Sequence, residues 1–333
     1  MGQGKFTRKA LVLGGLIEDL AGTYVLGLVF SPARVEKRRA AQPLVEGLKI
    51  EAVAAIRITG PEGTLELDKK AGGWVLPLGG RDYPGSASRV QVLLDFLNEV
   101  KRIRLATENP ELWNDFGVGA EATRRLELRD SSGNSLLQLF IGNQEMSLSG
   151  DYVRVQGSNE VLLSDRSFAY YTGTDPRYWS ELRVLPEGLK GQDIVRFSLD
   201  TQAVFGEQGP GGAARYTLLL KDGKAGAWEV EGQPGASLDA GEIEKLLNSI
   251  ADIEANEFAV GVSGEEAGLA KPRAQIVIST SGGQDHRLLI GAEAGERQHY
   301  LSREGSDYVY RVAEWRLQGV VRTLAELAPK PVQ

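Results

Sequence analysis

The chain has 333 residues, 42% hydrophobic and 25% charged, which is enough for two folded domains and too apolar for a disordered chain. A net charge of −7 argues against a general nucleic-acid surface, which needs clustered Lys and Arg to displace counterions from phosphates. The absence of cysteine removes disulfide scaffolds, thiolate metal sites, cysteine nucleophiles and lipid attachment through a cysteine.

Residues 1–9 are polar and basic, and from Ala10 to Phe30 run 21 mostly apolar residues, about the length that crosses roughly 30 Å of hydrocarbon as a helix. Lys5, Arg8 and Lys9 precede the stretch; Arg34, Lys37, Arg38 and Arg39 follow it. Its eleven Leu, Ile, Val and Phe residues favour insertion by roughly 3 to 6 kcal/mol, and Glu18 and Asp19 oppose it by up to about 2.5 to 3.5 kcal/mol each. A cleavable signal is one alternative, but no clear small-x-small site follows its apolar core. A buried soluble helix is the other, but apolar residues surround this segment and basic clusters bracket it. The reading is a single uncleaved anchor at 10–31, followed by a linker at 32–47. Glu18 and Asp19 are then candidate contacts to a partner helix, where protonation or a polar neighbour lowers their cost; the alternative is a segment shifted toward water. Three basic residues before the span and four after it leave orientation undecided.

The rest of the chain is one unit written twice, at 48–187 and 188–328, with a short tail at 329–333. "GGWVL" with Trp74 answers "GAWEV" with Trp228. In the next segment Val90, Leu93, Leu94, Leu97 and Val100 recur 153 residues later as Ile243, Leu246, Leu247, Ile250 and Ile253, one face of an amphipathic helix. Ser86 and Asp239 suit the N-cap, and Glu242 completes a capping box with Asp239. "FGV" at 116–118 answers "AGL" at 267–269, and the "LFIG" ending at Gly142 answers the "LLIG" ending at Gly291. "DYVRVQG" then answers "HYLSREG", with Tyr152 opposite Tyr300. Alternating runs such as "VAAIRIT", "IVRFSLD" and "RRLELRD" predict strands, turning at "SSGN" and "GSN". The Gly-rich "FGEQGPGGAAR" at 205–215 reads as a mobile loop. The expected fold class is α+β: two tandem antiparallel sheets, each with one long packed helix, behind one N-terminal transmembrane helix.

The hairpin tryptophan, the capped helix with "LLDFLNEV", then "FGV", "LFIG" and "DYVRV" resemble the family called domain of unknown function 4340. The resemblance covers about residues 48 to 330. It implies a single-pass protein of the bacterial cytoplasmic membrane, with N-terminus inside and its bulk on the periplasmic side. Such proteins are similar in layout to components encoded beside ABC-type transport systems, including ones related to gliding motility. The Glu18–Asp19 pair departs from the more uniformly apolar anchor expected there.

No motif points to catalysis, a cofactor or a metal. His286 and His299, the two histidines, lack partners at ligand spacing and read as surface or strand residues. No G-x-S-x-G, H-E-x-x-H or Walker sequence is present, and 45 acidic residues supply accidental carboxylate pairs. Trp74 and Trp228 read as core cover. Trp113 has no tryptophan counterpart and marks either a packed loop or a partner-facing spot. The densest aromatic stretch, with Phe168, Tyr170, Tyr171, Tyr178 and Trp179, suits a seam between the copies or a protein-binding patch. The expected function is a non-catalytic platform for protein contact, with an ABC-type permease or accessory subunits as the partners the resemblance implies. The alternatives are a module that binds an envelope polymer or lipid and, behind it, an envelope hydrolase, which would require a cleft with convergent polar groups.

Overall fold

A computed structural model describes residues 42–145, 149–205, 212–221 and 227–329. The expected anchor at 10–31, with Glu18 and Asp19, lies outside the described residues. Among the described residues, no helix is long and apolar enough to cross a membrane. Two compact units divide the chain: one holds the chain to Ala71 together with Ser88–Asp175, the other Gly72–Ala87 and Pro176–Gln333.

Unit 1 begins with the antiparallel strands β1 (Ala55–Gly60) and β2 (Gly63–Lys70). The next hairpin, β3 (Gly73–Leu78) and β4 (Arg81–Pro84), belongs to unit 2. After helix α1 (Ala87–Glu99) come β5 (Arg102–Thr107), β6 (Arg124–Arg129), β7 (Ser135–Gln144), β8 (Asp151–Val155) and β9 (Val161–Ser164). The strand order in unit 1 is β2-β1-β6-β7-β8-β9-β5. Period-2 alternation sets the register: Ile56 stands between Leu67 and Leu128, and Ile58 between Leu65 and Leu126. All six are buried on one face, as alternation places residues i and i+2 on the same side. Helix α1 buries Val90, Leu93, Leu94 and Leu97, the face the sequence spacing predicts.

Unit 2 opens with the short helix α2 (Pro176–Trp179), then β10 (Ile194–Thr201), β11 (Ala214–Leu220) and β12 (Trp228–Val230). Helix α3 (Ala240–Ala251) leads to β13 (Glu257–Phe258), β14 (Ala274–Thr280), β15 (Asp285–Glu293), β16 (Gln298–Arg303), β17 (Tyr310–Ala313) and helix α4 (Glu314–Gln318). Its sheet runs β12-β11-β10-β14-β15-β16-β17-β13, so strands β11 onward repeat the order of unit 1. In each unit the strand after the helix lies at the far edge, beside the last strand of the meander. Ile243, Leu246, Leu247 and Ile250 of α3 share one core with Phe197, Leu199, Ile276, Ile278 and Leu288 of the sheet. Burying each such side chain is worth about 1.5–3 kcal/mol before entropy is counted.

The architecture is two antiparallel sheets with few helices, more β than the expected α+β balance suggests. Strand β5 is not among the expected strands: "RIRLAT" alternates only from Arg102 to Leu105, and none of its six residues is fully buried. Strand β13 has only two residues. The hairpin of β3 and β4 belongs to the first sequence copy, yet it packs within unit 2: the Tyr83 ring lies 4.9 Å from Phe258 and 5.6 Å from Tyr308.

The cap of α3 is half as expected. Asp239 accepts the Glu242 N–H at 3.0 Å, but the Asp239 N–H donates to the Leu327 carbonyl at 2.8 Å instead of to Glu242. The Glu242 carboxylate accepts from Lys245 at 2.9 Å and from Arg322 at 2.8 Å, two cations that compete better for it than a neutral amide. These contacts tie the C-terminal segment to the helix start; Leu327 is fully buried and the Tyr216 hydroxyl donates to the Arg322 carbonyl at 2.8 Å.

Hydrogen bonds from Lys245 and then Arg322 hold the Glu242 pKa at about 2, below its ordinary 4.5. A depressed folded-state value contributes stability that is complete above the unfolded value and lost as pH falls from about 5 toward 2. Urea melts should therefore show Glu242→Gln less stable than the unsubstituted chain at neutral pH, with the gap closing across that acid window. A gap that does not change with pH would mean that these ion pairs add nothing.

Candidate functional site

The two glycine motifs that recur in the repeat meet in space. Strands β7 and β15 each end in a bulge, with register shifts between Ile141 and Gln144 and between Ile290 and Glu293. At the first bulge a Cβ on Gly142 would lie 1.9 Å from the Phe116 carbonyl oxygen, and the Asn143 N–H donates to that oxygen at 2.9 Å. The second bulge repeats this: a Cβ on Gly291 would lie 1.9 Å from the Ala267 oxygen, which accepts the Ala292 N–H at 2.8 Å. The turns that present these carbonyls hold Gly117 and Gly268 at φ of 72° and 71°, a left-handed conformation that only glycine adopts without cost. Each turn is closed from behind, Val118 N–H to Trp113 O and Leu269 N–H to Gly264 O, both at 2.9 Å. "FGV" and "LFIG" are thus two halves of one backbone clasp, and so are "AGL" and "LLIG".

A cleft opens beside each clasp. In unit 1 it has a volume of about 660 Å³ and is lined by Asn114, Glu121, Thr123, Arg124 and Asn143 along with the clasp glycines. In unit 2 it has about 490 Å³ and is lined by Gln202, Lys271, Arg273 and Ala292 with Gly268 and Gly291. A third groove of about 560 Å³ runs along α3 in unit 2, where the half-buried Trp228 stands near Gln192, Asn248 and Asp252.

The family model described as Domain of unknown function (DUF4340) matches residues 74–272 and again 228–331. The chain belongs to that family. The two DUF4340 matches begin at Trp74 and Trp228, the hairpin tryptophans that the repeat aligns, and both include their own copy of the clasp. An uncharacterized protein of Treponema pallidum (strain Nichols) is 20% identical over 119 residues, covering 36% of this chain. The match spans 38% of that relative's length. No solved structure matches the chain.

Within this DUF4340 fold the aromatic candidates have separate places. Trp113 packs in the cluster of Val118, Phe140 and Val161; its Nε1 donates to the Asn159 carbonyl at 3.2 Å and the Arg154 guanidinium lies 3.8 Å from its ring. Phe168 is fully buried in unit 1, where it meets Phe96 edge-on at 4.9 Å; Tyr171 stacks on the same Phe96 at 3.9 Å. Tyr170 is 65% exposed. Tyr178 and Trp179 lie in unit 2, edge to face at 5.0 Å, with Trp179 fully buried. The break between the compact units, after Asp175, falls inside this stretch. None of these six aromatics lines the three clefts.

His286 lies partly covered on β15, but His299 is buried, and its Nδ1 has no hydrogen-bond partner. Burial, and next the charge of Arg273, push its pKa below the ordinary imidazole value. In the repeat His299 stands where unit 1 has Asp151, also buried, whose carboxylate accepts the Phe168 N–H at 2.6 Å and the Ser167 hydroxyl at 3.0 Å. Arg154, which no sequence motif singles out, is buried against Trp113 and Phe140 and donates from Nε to the Val118 carbonyl at 3.1 Å. A charged residue within an alternating strand was the available signal.

The clasp makes a sharp stability prediction. Gly291→Ala drives a methyl into the Ala267 carbonyl and should cost about 3 kcal/mol, as overpacking against backbone does. Gly282→Ala, in the turn between β14 and β15 with nothing closer than 3.8 Å, should change stability by less than about 0.5 kcal/mol. Urea unfolding of the two variants tests this, and equal midpoints would remove the clasp from the account.

Proposed function

We propose that this DUF4340 protein is a membrane-anchored extracytoplasmic accessory protein, a non-catalytic platform for protein partners that include the permease or accessory subunits of an ABC-type transport system. The carrying observation is one fold built twice with the same clasp, its hydrogen bonds 2.9 and 2.8 Å long, while the exposed residues around it differ in charge and type. A fixed frame with varied lining is what a protein needs to present two different faces from one scaffold. The apolar span at 10–31, bracketed by basic clusters, supports anchoring in the bacterial cytoplasmic membrane. Tyr170 and Trp315, 65% and 63% exposed, support partner contact, since aromatics are enriched at interface cores. The resemblance in layout to transport-associated components supports the choice of partner.

A carrier of an envelope glycan or lipid is the second reading. The groove beside Trp228 favours it, because an aromatic face with amides and carboxylates around it suits polar ligands with apolar ring faces.

Photo-crosslinking residues placed at Tyr170 and Trp315 of the full chain in intact cells distinguish these readings. A saturable adduct to one permease or accessory subunit supports the platform, while adducts to glycan or lipid support the carrier. Recovery of the full-length chain with the soluble fraction after gentle lysis would overturn the anchoring. In the same cells Glu18→Leu with Asp19→Leu should weaken co-purification of the permease; unchanged recovery would leave those acids no partner role.

A further inference from the structure

The two clasp clefts share a frame and differ in charge. Strand register aligns them: Arg124 pairs with Ile141 just before one bulge, and Ala274 with Ile290 just before the other. Counting back from these pairs, unit 2 has Lys271 where unit 1 has Glu121, and Arg273 where unit 1 has Thr123. The unit 1 cleft therefore carries one carboxylate, Glu121, and one guanidinium, Arg124. Among the described residues, the unit 2 cleft carries two cations and no carboxylate.

Those cations are also without partners among the described residues. Other arginines of the same unit pair with acids: Arg196 with Glu231, Arg215 with Asp200, Arg287 with Glu304 and Arg311 with Glu257. Among the described residues, neither Lys271 nor Arg273 has a side-chain hydrogen bond or ion pair. The guanidinium of Arg273 instead lies 5.1 Å from the ring of the buried Phe205, which restricts where it points without using its donors. A half-buried, positioned guanidinium with its N–H fork unspent is suited to two-point binding of a planar or tetrahedral oxyanion. The ammonium of Lys271, exposed at the same cleft, adds a movable second charge.

We propose that the unit 2 cleft is a binding site for an oxyanion, a phosphate or carboxylate group on a soluble or lipid molecule, held by Arg273 and Lys271. At Gly291 the place of a side chain is filled by the Ala267 carbonyl and at Gly268 by Ala292, so the side-chain donors of the cleft are those of Gln202, Lys271 and Arg273. At about 490 Å³ the cleft has room for the anionic group and the adjoining part of a small molecule. The site stands whether or not the chain is anchored or serves as a platform.

Calorimetric titration of the full chain with inorganic pyrophosphate and with citrate tests the proposal. The unsubstituted chain should bind one equivalent, more weakly as salt is raised. Lys271→Glu, a change at an exposed position, should weaken binding by about tenfold, and K271E with R273T should abolish it. Transplanting the pair into unit 1, E121K with T123R, should raise the stoichiometry from one to two, an outcome that damage to the fold cannot produce. Flotation with phosphatidylglycerol or phosphatidylcholine vesicles, with and without pyrophosphate, separates a lipid headgroup from a soluble anion: loss of the phosphatidylglycerol preference with pyrophosphate assigns the lipid. Unchanged affinity in K271E with R273T, or no binding of either probe by the unsubstituted chain, would overturn the site.

Discussion

A carbonyl oxygen occupies the place where a β-carbon would otherwise be, and both units are shaped around that close approach. At Gly142 the intruding oxygen belongs to Phe116, and at Gly291 to Ala267. The contact joins a turn to a strand that follows it in sequence by more than twenty residues, so it fixes a long connection against the sheet. It also satisfies a backbone N–H that the bulge would leave unpaired, that of Asn143 or Ala292. Bulges bend a strand and re-aim the residues beyond it, and here the bend opens the cleft.

Because backbone atoms make the clasp, side chains around it are free to vary. The two units use that freedom differently. Unit 1 fills its surroundings with Arg154, sandwiched between Trp113 and Phe140, and with amides and a balanced Glu121–Arg124 lining. Unit 2 has no tryptophan at the position of Trp113, and its lining is cationic. Asp151 and His299 show the same divergence beneath the surface: one buried position holds a satisfied carboxylate in the first unit and an imidazole with an unpartnered nitrogen in the second. Two sites built on one scaffold need not bind the same thing.

Much of this was legible from residue order. The helical faces led by Val90 and Ile243 are buried as their spacing requires. Asp239 caps its helix, and "SSGN" and "GSN" turn the chain with Gly133 and Gly157 at positive φ. Where the reading failed, a distant partner intervened. Glu242 left the capping box because Arg322, eighty residues away, offers a charged donor. Strand β5, half-exposed at a sheet edge, offers an alternation of only four residues, Arg102 to Leu105, the shortest run that marks a strand.

By itself the sequence determined the local grammar: the period of each strand and helix, the caps, the places that only glycine can fill, and the writing of one unit twice. Those are properties of neighbouring residues, set by sterics and by which side of an element is apolar. Only the tertiary structure decided that Gly142 faces Phe116 and Gly291 faces Ala267, that the hairpin carrying Tyr83 packs in unit 2, and that Lys271 and Arg273 share a cleft with no acid among its described residues. Each of these depends on atoms brought together across a long loop, and spacing along the chain does not encode such a meeting.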